Sequence, residues 1–121
     1  MKSFLRSVLG LSAAVVLLSS CGAKDPVMTT DVCVSTTFCA TNFVFTPTSA
    51  TRAQGATIAW GNNASTTHNV TFDNATAASA AGLTPGDIAP GTILTRVVSA
   101  KGTFSFHCSI HPQMTGTLTI Q

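Results

Sequence analysis

The chain has 121 residues, enough for one domain, with a formal net charge of +2 and 8% charged side chains. There is no Glu and no Tyr, no basic run suited to nucleic acid and no acidic run suited to a basic partner. Thr, Ala and Ser are abundant, which fits a β-rich exported domain better than a helical one.

Lys2 and Arg6 flank an apolar run over residues 8–18, 11 residues long and too short to span a bilayer comfortably. A buried core helix is the other reading of such a run, but its position and basic flank mark residues 1–20 as a signal peptide. Leu18-Ser19-Ser20-Cys21 resembles the lipobox of bacterial lipoproteins, in which the Cys is acylated and becomes the new N-terminus. Ordinary cleavage without lipidation is the alternative. Two or more acyl chains make anchoring stable. The expected location is therefore the periplasm or cell envelope, lipid-anchored to a membrane through Cys21. Residues 21–30, with Gly22 and Pro26, read as a lipidated tether, and the domain proper as 31–121. Loss of residues 1–20 removes Lys2 and Arg6. Lys24, Arg52, Arg96 and Lys101 then balance Asp25, Asp31, Asp73 and Asp87. Steering by net charge is expected to be weak.

Cys33 and Cys39 follow, spaced Cys-x5-Cys. In an exported protein that pattern reads as a disulfide closing a small loop. A second metal site is the rival reading, although no His lies nearby in the sequence.

From Asn42 onward the chain reads as short strands. Phe43-Val44-Phe45 stops at Thr46-Pro47, and residues 49–53 form a weaker run. Thr57-Ile58-Ala59-Trp60 puts Ile58 and Trp60 on one face, and Gly61-Asn62-Asn63 closes it as a turn. His68-Asn69-Val70-Thr71-Phe72 is the next run. Residues 73–91 carry no strand pattern. Residues 75–81 suit a short helix, and the 19-residue segment as a whole is expected to cross between sheets or flank a site. Residues 93–99, 103–108 and 115–120 complete the set. Seven or eight short strands between Gly, Asn and Pro turns predict an all-β fold, a Greek-key sandwich or barrel.

The chemistry concentrates near the end. In Phe104-Ser105-Phe106-His107-Cys108 the alternation points Cys108 inward with two phenylalanines and His107 outward. Cys108, His111 and Met114 then place a thiolate, an imidazole and a thioether within seven residues. Such soft donors suit copper more than magnesium or calcium. His68, 40 residues earlier, supplies a second imidazole. Alone it would read as structural or solvated. With the other three it completes the His2Cys set with a weak axial Met found at blue-copper sites.

In that order, His68-Asn69, the Trp60 strand, Pro90-Gly91 before a long strand, and Cys108-x2-His111-x2-Met114 resemble the small blue-copper proteins of the cupredoxin family. The resemblance covers roughly residues 41–121, and the short gap to Met114 is similar to that of amicyanin. It implies one copper ion, Cu(I)/Cu(II), held by His68, Cys108, His111 and Met114. It also implies that Asn69 holds the ligand loop to the His strand, where an ordinary strand-edge role is the alternative. One-electron transfer between a redox protein donor and acceptor docking near His111 would follow. The rim would be Ile110, Pro112 and Gln113, with Asn62, Asn63 and Pro85 beside them. The protein is expected to be a monomer and not an enzyme, since no nucleophile–base pair, paired carboxylates or phosphate loop stands out. Storage or delivery of copper is the alternative function, and a sandwich with a degenerate site a third.

Overall fold

A computed structural model describes residues 31–121. The expected signal peptide over 1–20, Cys21 and the expected tether over 21–30 lie outside the described residues. Among the described residues nine strands and one short helix run in the order β1 (Phe38–Thr41), β2 (Val44–Thr46), β3 (Ser49–Arg52), β4 (Thr57–Asn62), β5 (His68–Phe72), α1 (Ala75–Ala80), β6 (Gly86–Ile88), β7 (Ile93–Val97), β8 (Gly102–His107) and β9 (Thr115–Ile120). They form two sheets, β2-β1-β4-β7 and β3-β9-β8-β5-β6. Both are mixed, because β1 runs parallel to β4 and β3 parallel to β9. The all-β sandwich is the expected class, with more strands than the seven or eight anticipated.

The two additional strands are β1 and β6. Phe38 and Ala40 of β1 point inward and are fully buried. The strand is four residues long and follows the Cys33 loop, so its alternation is too short to stand out. β6 lies inside the segment that carries no strand pattern. Its three residues pair with β5, His68 opposite Ile88 and Val70 opposite Gly86. A three-residue edge strand has no periodicity to detect; its neighbour supplies it. The same segment does cross between sheets, since β6 belongs to one sheet and β7 to the other.

Helix α1 has recognisable ends. The Asn74 side chain accepts from the Ala77 N–H at 3.0 Å, an N-cap. At the other end Leu83 N–H donates to Ala78 C=O and Gly82 N–H to Ser79 C=O. That pair of bonds is a Schellman stop, and Gly82 takes the left-handed conformation it requires (φ 81°).

Side chains from both sheets meet around Phe106. Its ring centroid lies 4.9 Å from Phe38, 5.1 Å from Phe45, 5.7 Å from Trp60 and 5.9 Å from Phe72, all edge-on. Such edge-to-face contacts add to the burial of area. Phe106 also faces Gly116 directly across the β8–β9 pair. The ring lies over the space where a side chain at position 116 would stand.

Cys33 and Cys39 are joined as a disulfide, with Cα atoms 5.3 Å apart. The loop they close lies over the outer face of the first sheet. A Cβ on Gly61 would come within 3.0 Å of Thr36 Cγ2 and 3.1 Å of Cys33 Sγ, so the loop rests on a position without a side chain.

Gly116→Ala should be among the most damaging small substitutions in the domain. The added Cβ would overlap Phe106 Cζ and approach its Cε2 to 2.7 Å. Overpacking of this kind costs about 2 kcal/mol. Urea unfolding of the metal-free protein should show the loss; an unchanged midpoint would mean that the ring has room to move.

Candidate metal centre

The site lies where β8 leaves the core. Phe104, Phe106 and Cys108 share one face, and Cys108 is fully buried. After it the chain makes two successive turns: His111 N–H donates to Cys108 C=O at 3.2 Å, and Met114 N–H to His111 C=O at 2.9 Å. Cys108 N–H closes the loop on Met114 C=O at 2.9 Å. The x2 spacing is therefore structural: each donor residue begins or ends a turn. Met114 is buried at the loop's end, and His111 is half-buried.

His68 opens β5 and is fully buried. Burial, then the positive charge available to His111, hold its pKa below the ordinary imidazole value. A neutral ring is the form that offers a nitrogen lone pair. His68 Nδ1 lies 3.9 Å from Cys108 Sγ, and His111 Nδ1 lies 3.8 Å from it. The donor atoms of all three residues fall within 4.8 Å of one another. A trigonal ion with nitrogen bonds of about 2.0 Å and a sulfur bond of about 2.3 Å would separate N from S by roughly 3.7 Å. The two nitrogen–sulfur spacings match that separation.

Asn69 joins the two halves of the site. Its Oδ1 accepts from Ser109 N–H at 2.8 Å, and its Nδ2 donates to Ser109 Oγ at 2.7 Å. Its backbone N–H points at Cys108 Sγ at 3.4 Å. His107 stands apart from the cluster. It faces away from Cys108, and its Nδ1 meets Asp73 Oδ1 at 2.6 Å.

Two residues contribute that sequence reasoning did not place. Asn62, expected on the rim, is fully buried. Its Nδ2 donates to Thr66 C=O and Ile88 C=O, both at 2.8 Å, and its Oδ1 accepts from Ala64 N–H at 2.8 Å. It thus ties the turn that delivers His68 to β6. A polar residue in a Gly-Asn-Asn turn looks solvated until its partners are known. Phe43 is the second. It is exposed, and its ring centroid lies 4.5 Å from that of His111 and 6.1 Å from that of His68. In the sequence it reads as the first residue of a strand run; the structure places it in the turn before β2, because the preceding strand β1 is too short to stand out. Pro85 is not beside His111 either: it precedes Gly86, which pairs with Val70, and its C=O accepts from Arg96. Ile110, Pro112 and Gln113 are exposed on the ligand loop.

Two imidazoles and a thiolate converging in a closed β-sandwich define a mononuclear soft-metal site of the copper type. Comparison with known proteins agrees. A family model described as copper binding proteins, plastocyanin/azurin family, matches residues 32–121. The chain is 36% identical over 85 residues to plastocyanin of Scenedesmus fuscus, covering 64% of this chain and 87% of that protein. It is 38% identical over 86 residues to plastocyanin of Rumex obtusifolius, with the same coverage of 64% and 87%. Among solved structures, a reduced amicyanin variant aligns with TM-score 0.59 and 21% identity, over 69% of this chain and 79% of that one. A purple cupredoxin from Nitrosopumilus maritimus aligns with TM-score 0.53 and 21% identity, over 64% and 82%. These two structures share the fold. The chain belongs to the plastocyanin/azurin family of copper-binding proteins. It is a cupredoxin-type electron-transfer protein and not an enzyme.

Proposed function

We propose that His68, Cys108, His111 and Met114 hold one copper ion, and that the protein carries single electrons between redox proteins outside the cytoplasm. The observation that carries this reading is the convergence of His68 Nδ1, His111 Nδ1 and Cys108 Sγ at spacings an ion would span. Copper held there supplies a Cu(I)/Cu(II) couple. Met114 is the fourth, weak donor, buried at the end of the same loop. His68 opens β5, Cys108 follows β8 and Met114 precedes β9, and Asn69 ties the loop between the last two to β5 through Ser109. Donors held in this way move little between oxidation states, which favours rapid transfer. Burial of Cys108 and His68 leaves the edge of His111 as the way in and out for the electron.

The surface around His111 supports docking through an uncharged patch. Phe43, Ile110, Pro112 and Gln113 are exposed, and none of them is charged. The features of residues 1–30 support export and a lipid anchor at Cys21, with the folded domain over 31–121 and residues 21–30 as its tether. The protein acts as a monomer on this reading.

Loading residues 22–121 with Cu(II) should produce an intense visible thiolate-to-copper band and a reversible one-electron couple by voltammetry. Cys108→Ser should abolish the band. A colourless protein that gives up Cu(I) readily to a chelator would instead indicate storage or delivery.

Electron self-exchange between two copies, followed by NMR line broadening, probes the docking patch without a known partner. Its rate should change little with ionic strength, because an uncharged contact has little to screen. A steep salt dependence would overturn the apolar docking surface.

The full chain, expressed in a bacterium, should fractionate with membranes and enter the detergent phase. Cys21→Ala should move it to the soluble or unprocessed fraction. Equal partitioning of the two would exclude the lipid anchor.

A further inference from the structure

The β1–β2 hairpin turns on two residues, Asn42 and Phe43, between the paired Thr41 and Val44. Both have positive φ, 42° and 66°. Two-residue hairpins of this kind favour Asn followed by Gly, because the second residue must sit in the left-handed region. Asn42 follows that preference. Phe43 opposes it: a bulky residue there is a conformational outlier, and such outliers concentrate where function requires them.

Core packing does not explain the residue, because Phe43 is 54% exposed. Its ring instead lies edge-on to His111, at 4.5 Å and 62° between planes, and at 6.1 Å and 85° to His68. His111 needs a support of this kind. It sits half-exposed on a loop, and among the described residues the only polar contact of its ring is the 3.8 Å approach of Nδ1 to Cys108 Sγ. Metal-binding imidazoles are ordinarily held by a hydrogen bond from the other nitrogen.

We propose that Phe43 is a positioning residue for the metal centre, whose ring, held in place by the strained turn, keeps the His111 imidazole aimed at Cys108 and His68 before any ion binds. This rests on the copper reading above for its purpose, but not for its test. The left-handed backbone at position 43 sets the ring across the path by which His111 would swing outward. The sequence keeps an unfavourable residue in the turn because Gly, which suits the turn, would leave the imidazole free.

Phe43→Gly separates the two roles, and Phe43→Tyr restores the ring. In the metal-free protein, urea unfolding of F43G should be unchanged or shifted to higher urea, since the turn is relieved. The His111 ring resonances should at the same time show motional averaging in F43G, and not in the parent or in F43Y. In the copper protein, chelator competition should show roughly tenfold or greater weakening of Cu(I) binding in F43G, with F43Y near the parent. A marked loss of metal-free stability in F43G would make Phe43 a structural residue and overturn the proposal. So would an ordered His111 ring in F43G. If the parent fails to bind copper, the functional reading falls, while the NMR comparison in the metal-free protein still decides the role of Phe43.

Discussion

Strands β5 and β8 pair antiparallel, Thr71 opposite His107 and Phe72 opposite Phe106, and this register decides where the donors meet. Carried two residues further, it sets Asn69 opposite Ser109. There the Asn69 side chain takes over from the backbone ladder, with bonds of 2.7 and 2.8 Å to Ser109. His68 stands one residue beyond, beside the loop that bears Cys108 and His111. A slip of one residue would turn every side chain of β5 to the opposite face. It would bury Asn69 and expel His68, so the fold and the site depend on the same pairing.

The core extends that constraint. Phe106 is the hub of the aromatic cluster and stands two residues before Cys108 on the same face of β8. The position of the thiol is therefore set by ring packing as well as by the backbone. Protein interiors are close-packed, and a side chain in such a cluster has few alternative positions. A carrier of electrons benefits from that rigidity, because donors that do not move need no rearrangement when charge arrives. The exposed end of the site is different. His111 has neither a core around it nor a hydrogen-bonded partner for its second nitrogen among the described residues; the Phe43 ring lies against it at 4.5 Å and the His68 ring at 5.0 Å.

Much of the sandwich was legible in the sequence. Runs such as Thr57-Ile58-Ala59-Trp60 and Phe104-Ser105-Phe106 alternate clearly, because one face of each strand is buried and the other is wet. β1 and β6 were not legible. They are four and three residues long, and what makes them strands is the neighbour they pair with. The position of Asn62 escaped for a related reason. Its burial is supported by Thr66 C=O, Ile88 C=O and Ala64 N–H, and the Ile88 carbonyl belongs to a strand that the sequence did not display.

By itself the sequence determined the chemistry of the candidate donors: a thiol, an imidazole and a thioether in a spacing that two consecutive turns can close, and a second imidazole 40 residues earlier. It also determined which face of β8 Cys108 occupies, since alternation is a property of neighbouring residues. The tertiary structure alone decided that His68 comes within 3.9 Å of Cys108 Sγ, that Asn62 turns inward, and that Phe43 of the β1–β2 turn lies edge-on against His111. Donor identity is local and survives in the linear chain. Distances between residues 40 or more positions apart depend on strand pairing and hairpin geometry, which exist only once the two sheets have closed on their common core.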